Sequence, residues 1–280
     1  MKILKYQTIL FLIIFATLAI SCENDKPAIK SALIVFIDAY LDTVKFDSSF
    51  DKNLRIPLLE SIKKEGKDLN FLKVIVYPLH ARTASANAIV EIDIDETLLK
   101  SIRRTNIVGR NKYNKLWDDN INKEKAGIPD ETSSCRIFKS IIPLGKQFTE
   151  LSDKYEKVNV LYISDMIELD VRGEENGRYK FLEDNENIIS SSSIEMAKRH
   201  MKEDQHELNK MLEEFRKKCP KVPDNLHVFI FKPSEMNIRP NKEGKGTELI
   251  DDFWEEFFGE GLGVTNFKVV SKFPSLLNMK

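Results

Sequence analysis

The sequence is poor in the features that usually announce a catalytic site. It has no Gly-x-Ser-x-Gly elbow, so the exposed serine that such a turn presents is missing. Gly244-Lys245-Gly246-Thr247 opens a helix without the spacing of a phosphate-cradling loop and reads as a flexible connection. His200 and His206 stand six apart on one expected helix, too far to share a metal as an i, i+4 pair does. His80 and His227 fall at or near strands, where packing or a backbone hydrogen bond is the default. Cysteine is scarce, with three in 280 residues, and Cys135 has no neighbour that would make it a thiolate nucleophile. No segment repeats and none is of low complexity. Charge of one sign is also lacking. The net charge of -1 becomes more negative if Lys2 and Lys5 leave with a cleaved leader, which argues against a nucleic-acid partner.

What is present begins at the amino terminus. Residues 1–21 have a short basic head and an apolar core from Ile9 to Ile20. That core is short for a bilayer span, and its flanks suit a signal peptide. Leu18-Ala19-Ile20-Ser21-Cys22 resembles the lipobox of bacterial lipoproteins, with Ala19 where that family usually has an aliphatic residue. The resemblance implies cleavage before Cys22 and a diacylglycerol on its sulfur, which anchors a domain without spanning the membrane. Residues 22–30 are then a lipidated tether, and the expected location is the bacterial cell envelope, at the outer membrane. Such a compartment permits disulfides. Cys135 and Cys219 are nevertheless expected to stay unpaired, since they start and end helices that run the same way.

Residues 31–280 read as one α/β domain. The organising stretch is Ser31–Asp42, where Leu33 to Ile37 form an apolar run that suits a strand buried on both faces. Leu54, Leu58, Leu59 and Ile62 have helical spacing, with Pro57 forcing a kink or a late start. Phe71–Leu79 and Ala88–Ile94 read as strands joined by a short polar connector, so the third strand is expected to run antiparallel at an edge. A short helix follows over Glu96–Arg104. Asn106–Pro129 reads as a solvated loop with Tyr113 and Trp117 packed inward. Thr132–Ser134 is expected to cap a helix carrying Ile137, Ile141, Leu144, Phe148 and Leu151. Val158–Ile163 is the fourth strand, ending at Ser164-Asp165. Ser192 and Glu195 suggest a capping box for one long helix that stops before Pro220. Leu226–Phe231 is the fifth strand, Thr247 caps a last helix, and Val264–Val270 is the sixth strand. This alternation predicts a doubly wound, mainly parallel six-stranded sheet of order 3-2-1-4-5-6, with helices on both faces. Asp38 and Asp165 would then end neighbouring strands.

The arrangement resembles a von Willebrand factor A-like domain. The likeness rests on the aspartate after the first strand, the antiparallel third strand, the Thr/Ser cluster at a helix start, and Ser164-Asp165 after the fourth strand. It implies a metal-ion-dependent adhesion site, with Asp38 and Asp165 as ligands and Thr132 as the threonine from the second loop. Tyr40 stands where that family has its first serine. Asp42 replaces the second and can supply an oxygen to Mg²⁺ or Ca²⁺ held weakly. Three such carboxylates without a cation would repel one another. The expected activity is binding rather than catalysis, toward a protein or another envelope component. A rival pattern is Asp93-Ile94-Asp95-Glu96-Thr97-Leu98, which resembles the first motif of haloacid-dehalogenase-type phosphohydrolases, with Asp93 as nucleophile and Asp95 as acid/base. The two readings separate on one point, whether the third strand is an antiparallel edge.

Overall fold

The structure, a computed structural model, describes residues 29–38, 50–65, 68–80, 83–104, 106–121, 136–168, 179–183, 188–222, 224–232, 240 and 244–274. The strands are β1 (Ile29–Asp38), β2 (Leu69–Leu79), β3 (Val90–Ile94), β4 (Lys157–Ile163), β5 (Leu226–Phe231) and β6 (Asn266–Val270). The helices are α1 (Ile56–Glu65), α2 (Glu96–Arg103), α3 (Ile107–Asn120), α4 (Ile141–Leu151), α5 (Ser191–Lys202), α6 (Glu207–Lys218) and α7 (Glu248–Glu256). The sheet order is β3-β2-β1-β4-β5-β6, with β3 antiparallel to β2 and every other pair parallel.

β1 is the centre of this sheet because its side chains can be buried on both faces. Ala32, Ile34 and Phe36 join Val160, Tyr162 and Val228 in a core with α4, α5, α6 and α7. Leu33, Val35 and Ile37 join Val74, Val76, Leu161 and Ile163 in the opposite core, with α1, α2 and α3. Each of these fully buried aliphatic side chains contributes about 1.5–3 kcal/mol relative to exposure, an upper bound for a compact unfolded chain.

Asn106–Pro129 departs most from the expected loop, because residues 107–120 form α3. The Asn106 side chain caps it, accepting from the Gly109 N–H at 3.2 Å. Gly109, Tyr113 and Trp117, four apart, are the buried positions. A Cβ at Gly109 would lie 2.5 Å from the Ser101 carbonyl, so this glycine lets α3 cross α2. Its four glycine and asparagine positions and its acidic end weaken the helical signal, while the two aromatics do pack inward.

Other boundaries also shift. Pro57 follows a π-helical turn at Asp51–Arg55, which the Ile56 N–H closes onto the Asp51 carbonyl. The helix expected over residues 192–219 is two, α5 and α6, split by an extended turn at Glu203–His206. Ser190 takes the N-cap position of α5 without a side-chain cap bond, so the Ser192–Glu195 capping box does not form. Thr247 precedes α7 with helical backbone angles, and its side chain makes no cap bond either. Among the described residues, no helix is long and apolar enough to cross a membrane.

Candidate functional site

Strand register brings the site together. Ile37 pairs with Ile163, and Ile163 with Phe231, so Asp38, Ser164 and Lys232 follow in a row at the carboxyl edge of β1, β4 and β5. This edge, where the strand order turns between β1 and β4, is where doubly wound sheets place ligands.

The side chains converge as the topology requires. Ser164, fully buried, donates from Oγ toward Asp38 Oδ2 at 3.3 Å. Asp38 is itself buried at 5% exposure. Asp165 turns back on its own loop and accepts the Ile167 N–H at 2.8 Å. Its carboxyl, withdrawn from water and close to the Asp38 carboxylate, is pushed up to about 7. The Ile167 N–H, Lys232 and the Ser164 hydroxyl oppose that rise without cancelling it. Lys232 is ion-paired with Asp251 at the start of α7.

The loop after β4 is held rigidly. Ser164 Oγ accepts the Met166 N–H at 3.0 Å, and the Trp254 indole N–H donates to the Met166 carbonyl at 2.8 Å. Glu168, buried at 3% exposure, accepts the N–H groups of Ile137 and Phe138 at 2.6 and 3.1 Å. Those donors open the helical segment leading into α4, so Glu168 caps it at these two positions, while Thr132–Ser134 lie outside the described residues. A carboxylate at a helix amino terminus is favoured by the exposed donors and the helix dipole. Beneath, the Tyr162 hydroxyl lies 2.7 Å from Ser140 Oγ, tying β4 to the same segment.

The structure thus brings Asp38 and Asp165 together, while Asp42 and Thr132 lie outside the described residues, as do Cys22 and Cys135. Cys219 is a free, buried thiol. Among the described residues, no group of three or more His, Cys, Asp and Glu side chains is placed to hold a metal. The described donors Asp38, Ser164 and Asp165 are all oxygens with two crowded carboxylates, a set that suits a hard cation. Lys232 and Glu168 were missed as parts of the edge. Lys232 was accessible by the same rule that found Asp165, as the first residue after a buried strand. Glu168 was not, since its partners lie 31 and 30 residues away.

Asp93 and Asp95 sit elsewhere. Lys73 pairs with Asp93 and Leu72 with Ile94, so antiparallel β3 ends at the amino edge of the parallel strands, opposite Asp38. Asp93 forms an ion pair with Lys73 at 3.4 Å, and Asp95 caps α2 through the Leu98 N–H at 2.7 Å. Neither lies at the open carboxyl edge that a phosphohydrolase nucleophile needs.

No protein-family model and no curated protein matches the sequence. Among solved structures, the chain is similar to the human COPII-coat protein Sec24c (12% identity, TM-score 0.39, 90% of this chain and 31% of that one). It is also similar to the TFIIH p34 N-terminal domain (9% identity, TM-score 0.30, 87% and 92%). A third is the pilus adhesin SpaC from Lactobacillus rhamnosus GG (8% identity, TM-score 0.36, 87% and 28%). The chain therefore spans less than a third of the Sec24c and SpaC chains. TM-scores below 0.5 assign neither fold nor function, and the sheet order carries the fold by itself.

Proposed function

We propose that this chain is a lipid-anchored protein of the bacterial cell envelope whose von Willebrand factor A-like domain binds a protein or another envelope component. The observation that carries this reading is the meeting of Asp38, Ser164 and Asp165 at the carboxyl edge of two adjacent central strands. The partner engages that edge, and a divalent cation, Mg²⁺ or Ca²⁺, held by Asp38 and Asp165 with Asp42 and Thr132, would offer it an electrophilic contact. With Tyr40 in place of a serine the cation is held weakly. Anchoring comes from acylated Cys22, which leaves the domain free at the membrane surface.

Two measurements on the full-length chain, expressed in a bacterial host, test this. Labelled fatty acid should enter the wild-type protein and not Cys22→Ala, and the mature protein should begin at residue 22. Cross-linked envelope partners should be recovered with wild type in Mg²⁺ and lost with chelator and with Asp38→Ala. A mature protein that begins elsewhere refutes the anchor, and partners recovered equally by Asp38→Ala refute the edge as the binding surface.

A further inference from the structure

The joint between α5 and α6 carries chemistry outside the strand-end site. Its turn folds the chain so that the His200 and His206 rings stack, with centroids 3.7 Å apart and planes 17° from parallel. Tyr179 and His200 are buried, at 7% and 8% exposure. The Tyr179 hydroxyl lies 2.9 Å from His200 Nδ1 and 3.3 and 3.4 Å from the two His206 ring nitrogens. In rings this close to parallel the lone pairs run side by side, so the arrangement does not converge on a metal.

One backbone group sets the direction of every hydrogen bond in this cluster. The Leu208 N–H can only donate, and it meets His206 Nδ1 at 3.1 Å. That nitrogen is therefore bare, and the ring proton of neutral His206 belongs on Nε2. His206 Nε2–H then faces the Tyr179 oxygen, the Tyr179 O–H donates to His200 Nδ1, and His200 Nε2–H faces the Glu203 carboxylate at 3.8 Å. This order of donors and acceptors requires a neutral His206. A proton on His206 Nδ1 removes the cap of α6 and sets a positive charge against that helix's amino terminus.

We propose that the His206–Tyr179–His200 chain is an acid-sensitive latch, closed at neutral pH and released when His206 takes a proton. Burial and the neighbouring His200 hold His206 below its ordinary value, with Lys210 adding to that and Glu203 and Glu207 opposing it. Glu168 acts on Tyr179 from the loop after β4, and on α7 Glu256 is taken up by Lys198 and Lys202. The latch is joined to the strand-end site. Phe181, two residues after Tyr179, donates its N–H to the Glu168 carbonyl at 3.1 Å. The Tyr179 ring packs edge-on against Phe138, whose N–H Glu168 holds. Opening the latch thus loosens the support of the loop that carries Asp165.

The sign follows from the lowered His206 value. The opened state binds the proton more readily, so the latch contributes fully above about pH 6.5 and is lost as pH falls below it. Melting temperatures of the protein from pH 8 to pH 5 test this against His206→Asn, which keeps a capping oxygen and does not titrate. Wild type should lose about 2–4 °C more than the variant over that range, and identical acid profiles overturn the latch. Imidazole ¹⁵N shifts of the wild type at pH 7.5 test it without a variant. His206 should show a bare Nδ1 and a protonated Nε2, and a proton on Nδ1 overturns the proposal.

Discussion

The Trp254 indole N–H and the Met166 carbonyl meet at 2.8 Å, and Met166 is the one non-glycine residue with positive φ, 63°, among those described. A left-handed backbone at a side chain of this size costs free energy and persists only where its surroundings hold it. Here the indole fixes one end of the peptide and Ser164 Oγ the other. The strained residue directly follows Asp165, so the strain is spent on aiming the carboxyl edge.

Trp254→Phe keeps the aromatic packing and deletes the donor. It should cost about 1–2 kcal/mol for the unsatisfied buried carbonyl, read by urea unfolding. A variant as stable as wild type would mean that the left-handed turn does not depend on the indole.

Glu168 joins two loops that the sequence leaves far apart. Glu168→Ala strips the acceptor from the Ile137 and Phe138 N–H groups and should destabilise by about 1–3 kcal/mol. Glu168→Gln keeps an acceptor oxygen and should lose less. Equal losses for both variants would show that the carboxylate charge, rather than its hydrogen bonds, is what the helix start requires.

Asp165 has a pH signature of opposite kind to the latch. Its carboxyl is raised from 3.8 to about 7, so the native state holds a proton that the unfolded chain has released. Between those values the folded state binds more protons, and stability falls as pH rises. Asp165→Asn keeps the oxygen that accepts the Ile167 N–H and removes the charge beside Asp38. It should be more stable than wild type at pH 8, by on the order of 2 kcal/mol after discounting for partial exposure, and equal to it near pH 4. Denaturant melts at the two pH values check this.

The fold was legible because its signals are local. β1 is a continuous apolar run, β3 alternates, and the short polar connector at residues 80–87 can only return antiparallel. The strand-end rule then placed Asp38 beside Ser164-Asp165. What stayed hidden depends on contacts across the chain. α3 shows only a thin buried stripe at Gly109, Tyr113 and Trp117. The break between α5 and α6 has no proline or glycine to mark it, since the interruption is made by a histidine serving as a cap. Because that break was unread, two histidines expected to be apart turned out stacked.

The proposed cation at the carboxyl edge is tested most directly by the melting temperature against Mg²⁺, Mn²⁺ and Ca²⁺. A ligand that binds only the native state stabilises in proportion to the logarithm of its excess over Kd. The wild-type melting temperature should therefore climb with millimolar cation and fall back with chelator. Asp38→Ala should be unresponsive and, in chelator, no less stable than wild type, because the repulsion on Asp165 is gone. Asp93→Ala, at the opposite edge, should respond as wild type does. A wild-type melting temperature unmoved by any of the three cations, or an Asp38→Ala variant that responds in full, would contradict the account.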